Sequence, residues 1–118
     1  IRTVIIPNAR EAVVEIGKLR DYTLDPKHRV GRHKARLFSA LLGMTRDDAD
    51  ALRGILLEVV RTRDAEYGDR DAHGQRYRLD FVLTWRGQQA LIRSVWNIRP
   101  EETFPRLVTC YPLKEGDV

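Results

Sequence analysis

The sequence predicts an α+β fold, with about three N-terminal helices packed on one face of a C-terminal antiparallel sheet of three to four strands. Apolar residues recur at helical spacing as far as Arg61, and from Tyr77 they alternate with polar ones at the period of two that marks a half-buried strand. The length, 118 residues, suits one domain. We expect a single domain over 1–118, helical over about 8–62 and sheet over about 75–112.

Each element has its own signal. Pro7-Asn8 reads as a helix start with Asn8 as cap, followed by an apolar stripe at Ala9, Ala12, Val13, Ile16 and Leu19. Asp25-Pro26 ends it, because proline disfavours helix in the residue before it. A second helix is expected from about Gly31 to Leu42, with Ala35, Phe38, Leu41 and Leu42 inward and Gly43 as its terminator. Thr45-Arg46-Asp47-Asp48 resembles a capping box and opens a third helix with Ala49, Leu52, Ile55, Leu56 and Val59 in phase. Residues 64–74, rich in Asp and Gly, read as a loop or short hairpin. Tyr77, Leu79, Phe81, Leu83 and Trp85 then alternate in a strand that turns at Arg86-Gly87-Gln88. The next strand places Ile92, Ser94, Trp96 and Ile98 on one face and Arg93 and Asn97 on the other. A connector over 99–105 leads to a last short strand, Arg106 to Tyr111.

Composition excludes several classes. No apolar run approaches the 18–20 or so residues of a membrane span, so no membrane partner is expected. One cysteine, Cys110, rules out a disulfide framework within the chain, and with three histidines it argues against a structural zinc cluster. The chain opens on Ile1 rather than Met, which leaves a preceding segment open. No Gly-rich phosphate loop and no Gly-x-Ser-x-Gly elbow is present. Carboxylates do not gather as a two-metal nuclease requires, and no cofactor is expected.

The charge distribution is more telling. Lys and Arg total 21 against 17 Asp and Glu, a net of +4, and 17 of the cations are arginine. The excess lies wholly within residues 1–62, concentrated at 27–36, where Lys27, Arg29, Arg32, Lys34 and Arg36 stand with His28 and His33 and no acid. Arginine grips phosphate in a fork, so Arg29, Arg32 and Arg36 are candidate phosphate ligands. Gly31 permits close backbone approach, and the amides of the helix start would attract an anion. Lys34 shares the edge of the apolar stripe with Phe38 and Leu41, so it either snorkels outward or serves a site. On the sheet, Arg76, Arg78, Arg93 and Asn97 share one face, which reads either as a binding surface or as a solvated face with Asp80 as a local partner. Tyr77 or Tyr111 could stack a base if exposed, whereas Trp85 and Trp96 read as core and Cys110 as a small buried residue. Histidine, lysine and arginine together supply what metal-free RNA cleavage needs: a base, an acid and cations on the phosphate.

Four stretches recur in a known order: Lys18-Leu19-Arg20-Asp21-Tyr22 with Leu24; His28-Arg29-Val30-Gly31-Arg32-His33-Lys34-Ala35 with Phe38 and Leu42-Gly43; Val95-Trp96; and Pro105 through Pro112. Together they resemble a family of small uncharacterised bacterial domains with the pattern K-L-x-x-Y-x-L, H-x-x-G-x-x-K-A, W, P-R-L-V-T-x-Y-P, over nearly the whole chain. The layout is similar to the barnase–EndoU–colicin–RelE-like ribonuclease toxins, in which N-terminal helices precede a four-stranded antiparallel sheet and RNA is cut without metal. That resemblance implies His28, Lys34 and Thr109 as catalytic residues, with Arg106 and Tyr111 beside them. Cys110 stands where a small residue would be expected. The resemblance also implies a toxin module, from a toxin–antitoxin pair or the end of a secreted polymorphic toxin. Its RNA target would be tRNA or mRNA, and a cognate antitoxin or immunity protein would hold it in check. Such a module acts in the cytoplasm, either its own cell's or that of a target cell to which it is delivered.

The function expected is therefore a metal-independent endoribonuclease toxin, with His28, Lys34 and Thr109 as catalytic set. Arg29, Arg32, Arg36, Arg76, Arg78, Arg93, Arg106 and Tyr111 would bind RNA or phosphate. The alternative is a non-catalytic module that binds nucleic acid or protein through the same basic face. A third role, as the antitoxin or immunity partner, sits poorly with a basic chain if its toxin is itself a basic nuclease.

Overall fold

A computed structural model describes residues 2–114. Five antiparallel strands lie in the order in which they occur: β1 (Thr3–Val4), β2 (Ala65–Asp71), β3 (Gly74–Trp85), β4 (Gln88–Ile98) and β5 (Pro105–Pro112). Between β1 and β2 come a 3₁₀ turn (Ala9–Glu11), a short α1 (Ile16–Lys18) that widens into a π-helical turn (Leu19–Thr23), α2 (Arg32–Leu42) and α3 (Ala49–Thr62). The fold is α+β, as expected, with more strands than expected and the helices in mid-chain rather than leading it.

The core forms where the helical stripes meet the apolar face of the meander. Phe38 and Leu42 of α2 and Leu52, Leu56 and Val60 of α3 pack in one cluster with Leu79, Phe81, Ile92 and Trp96. Trp96 is fully buried, and its indole N–H donates to Ser94 Oγ at 2.9 Å, which donates to the Leu79 carbonyl at 2.6 Å. The buried polar pair is thus satisfied within the sheet. Gly43 ends α2 in the left-handed conformation at φ 69°, and Thr45 and Asp48 form the reciprocal capping box before α3. Arg86 and Gly87 both have positive φ, the signature of the two-residue turn that suits a twisted hairpin.

Three expectations are corrected, and one left open is resolved. Residues 9–24 do not form one helix. Asn8 sits at φ 57° without capping, and its side chain instead donates to the Thr103 carbonyl. Ala12 is extended, and Val13 bridges β5: its N–H donates to the Pro105 carbonyl at 2.9 Å, and its carbonyl accepts from Leu107 at 3.0 Å. Pairing with the sheet edge overrides the helical spacing there. Of the two readings of residues 64–74, the hairpin is the one that forms: Ala65–Asp71 is β2, paired with β3 and held by ion pairs of Glu66 with Arg78 and of Asp71 with Arg76. Leu41 is not inward but 38% exposed, because the inner face of α2 is taken by Ala35, Phe38 and Leu42. Trp85 is only half-buried, at the end of β3 beneath the Arg86 guanidinium at 5.0 Å.

Candidate functional site

Three of the sequence stretches converge on one cleft along the β5 edge. Val13 covers the first part of that edge. A bulge on β5 then shifts the register: the adjacent Val95 and Trp96 of β4 pair with Thr109 and Leu107, leaving Val108 as the extra residue. From Val108 onward the edge faces α1 and α2 across a cleft of about 640 Å³, lined by Glu15, Gly17, Lys18, Tyr22, Lys34, Val108, Thr109 and Tyr111.

Tyr22 is the centre of the arrangement. The π-helical turn carries it away from the core while Leu19 and Thr23 stay buried. The start of α2 is built against it. A Cβ on Gly31 would lie 2.0 Å from the Tyr22 carbonyl oxygen, so only glycine lets the two segments approach this closely. The His28 ring meets the Tyr22 ring edge-on at 4.7 Å. One turn inside the helix, Lys34 Nζ donates to Tyr22 Oη at 3.0 Å and lies 4.9 Å from the ring centroid. Lys34 therefore neither snorkels into solvent nor follows its stripe; its ammonium is turned into the cleft.

His28 has a second task. Its Nδ1 accepts from the Val30 N–H at 3.0 Å and the Gly31 N–H at 2.9 Å, and its carbonyl accepts from the Arg32 N–H at 3.1 Å. The imidazole closes the turn over residues 28–31 that leads into α2. The Val30 and Gly31 amides precede α2, whose first residue is Arg32, so the bonds fix the approach of the chain to the helix start. An Nδ1 that accepts two bonds carries no proton, so the ring N–H is at Nε2.

On the β5 side, Lys18 Nζ donates to the Val108 carbonyl at 3.2 Å, and the buried Thr109 Oγ1 has no hydrogen-bond partner among the described residues. The cleft thus combines two ammonium groups, three hydroxyls and one carboxylate, Glu15. Among the described residues no group of three or more His, Cys, Asp or Glu side chains is placed to hold a metal ion. Cys110, next to Thr109, is fully buried, and desolvation pushes its thiol up to about 12, well out of nucleophilic range.

Of the residues singled out in the sequence, Lys34, Thr109 and Tyr111 share this cleft, and His28 stands behind Tyr22. Arg29 and Arg36 are exposed, Arg32 is half-buried with its guanidinium donating to the Arg29 carbonyl, and His33 is exposed and does not line the cleft. The sheet arginines do not line the cleft, though Arg93 and Arg106 border it through Tyr111 and Glu15, and each meets a carboxylate. Arg76 meets Asp71, Arg78 meets Glu66, and Arg93 grips Asp80 through two bonds of 3.1 and 3.0 Å. Arg106 grips Glu102 at 2.8 and 2.9 Å and approaches Glu15 at 3.4 Å. Hydrogen bonds to these carboxylates raise Arg76, Arg93 and Arg106 above the usual guanidinium range, with a smaller contribution from Tyr111 at Arg93. Glu15, Lys18 and Tyr22 carried no assigned role in the sequence. The four-residue spacing of Lys18 and Tyr22 was the available signal.

The fold and cleft define an α+β protein in which a helical segment and a sheet edge together frame a cationic, hydroxyl-lined site. The chain belongs to the family described as a domain of unknown function, DUF6883, which matches residues 5–114. No curated protein matches it. Among solved structures it is similar to a chain of a contact-dependent growth inhibition toxin–immunity protein complex from Klebsiella pneumoniae 342. The TM-score is 0.61 at 14% identity, over 86% of this chain and 99% of that one. At that identity the likeness is one of fold.

Proposed function

We propose that this chain is the toxin module of a bacterial toxin–immunity or toxin–antitoxin system and that it cleaves RNA without a metal. The observation that carries the reading is the convergence of Lys34, Tyr22, Lys18, Thr109 and Tyr111 on one cleft. The fold it shares with a chain of a toxin–immunity complex supports the biological setting and a cognate protein partner. Within the described residues no helix is long and apolar enough to cross a membrane.

The chemistry follows from the groups. In RNA cleavage by the neighbouring 2′-hydroxyl, negative charge builds on the phosphoryl oxygens and the 5′-oxygen leaves. Lys34 and Lys18 offset the first. Tyr22 Oη accepts from Lys34, so its own O–H is free to donate to the leaving oxygen, and the adjacent ammonium compensates the charge left behind. Thr109 Oγ1 orients a phosphoryl oxygen, and Tyr111 offers a ring for base stacking. His28 acts through Tyr22, holding both it and the start of α2 in place. Arg29, Arg32 and Arg36 extend the cationic surface along the RNA. The setting for this chemistry is the cytoplasm of the producing cell or of a recipient.

The test is to incubate the protein with total RNA with and without EDTA and to read the product ends, alongside Lys34→Met and Tyr22→Phe. Wild type should cut equally well with chelator, and each variant should lose about 10²–10⁴ in rate while melting near wild type. Expression without a partner should arrest growth. Free expression with no cleavage of any RNA would instead mark a binding or immunity module and end the ribonuclease reading.

A further inference from the structure

We infer that Glu15 is the general base of the cleft, the group that takes the proton from the attacking 2′-hydroxyl; this rests on the ribonuclease reading above. The inference starts from what the cleft lacks. Its lining offers ammonium groups at Lys18 and Lys34 and hydroxyls at Tyr22, Thr109 and Tyr111, all proton donors or weak acceptors. The imidazole of His28 stands behind Tyr22 with Nδ1 taken by two backbone amides and its N–H at Nε2, so it has no free acceptor to offer. Glu15 is the one carboxylate among the described lining residues.

Its position suits the role. Glu15 is held in extended backbone immediately before α1, so its side chain leaves the main chain at the mouth of the cleft and Lys18 follows one turn later. The carboxylate is 60% exposed. Among the described residues it meets Arg106 alone, through one oxygen at a long 3.4 Å, while the guanidinium grips Glu102 at 2.8 and 2.9 Å. Glu102 takes the bidentate bond, so Glu15 is steered but left with lone pairs for a substrate hydroxyl.

The step balances. The Glu15 carboxylate takes the 2′-hydroxyl proton as the O2′–P bond forms. The P–O5′ bond breaks, and the 5′-oxygen takes the Tyr22 proton. The products are a 2′,3′-cyclic phosphate and a free 5′-hydroxyl, and both side chains exchange protons with water to reset.

The experiment compares wild type, Glu15→Gln and Glu15→Asp on a short RNA cut by the wild type, and on the same strand with 2′-deoxyribose at the scissile position as a binding probe. Glu15→Gln should cleave about 10²–10⁴-fold more slowly, should bind the deoxy probe within a fewfold of wild type, and should lack the acid limb of the wild-type pH–rate profile. Glu15→Asp should recover part of the rate. Glu15→Gln cleaving within threefold of a wild type that cuts, with the acid limb intact, overturns the assignment of Glu15 and leaves the ribonuclease reading standing. A wild type that cuts no RNA overturns both.

Discussion

Gly31 and Gly54 are both associated with helices, and the structure assigns them opposite sensitivities. A methyl on Gly31 would lie 2.0 Å from the Tyr22 carbonyl oxygen, and backbone on both sides can yield only by separating α2 from the π-helical turn. Gly54, inside α3, has nothing within 4 Å of where its Cβ would stand. Gly31→Ala should therefore destabilise by about 1–3 kcal/mol, as overpacking does, and should weaken the cleft with it. Gly54→Ala should stabilise by about 0.5–1 kcal/mol, because alanine loses less backbone entropy in a helix interior. Urea denaturation of both variants checks the pair, and a Gly31→Ala protein as stable as wild type would mean the two segments are not in contact. Close approach at Gly31 was legible in the sequence, but Tyr22 as its partner was not. Residues nine apart across a proline carry no periodic signal of contact.

At the scale of elements, legibility followed how far local preference and tertiary need agreed. α2, α3 and the β3–β4 hairpin were readable because caps, stripes and alternation all point the same way. The 9–24 segment was not, since the β-branched Val13 of its stripe also suits a strand edge, and the β5 edge claimed it. The connector between β4 and β5 shows what long-range charge adds. Arg106 holds the Glu102 carboxyl below its ordinary value of 4.5, chiefly by their hydrogen bond, and Arg99 adds a smaller pull. A carboxyl lowered on folding lends stability that is complete above the unfolded value and lost as pH falls through the folded one. Wild type should thus lose stability on acidification below about pH 4.5 more steeply than Glu102→Gln, which lacks the group. Parallel acid limbs in the two proteins would show that the pair does not tie the connector to β5.

Across the whole molecule, two groups of arginines stand apart that composition could not separate. On the sheet, Arg76, Arg78, Arg93 and Arg106 each stand against a carboxylate, so that face is close to neutral despite its guanidinium count. Around the start of α2, no ion pair with a carboxylate involves Lys27, Arg29, Arg32 or Arg36 among the described residues, and this is where the excess charge of the chain concentrates. On the ribonuclease reading proposed above, an RNA strand would contact this second group on its way to Lys34 and release its counterions there. Each phosphate contact on a single strand contributes about 0.7 to the slope of log affinity against log salt. Reversing Arg29, Arg32 and Arg36 to Glu should therefore flatten the slope by about 2 and weaken binding of the deoxy probe most at low salt. Arg93→Gln should leave the slope unchanged and instead lower stability, because it strands Asp80. Fluorescence anisotropy across a salt series, paired with melting curves, separates the two. If the triple reversal keeps the wild-type slope while Arg93→Gln flattens it, the RNA path runs over the sheet, and its guanidinium groups exchange their carboxylates for phosphate on binding.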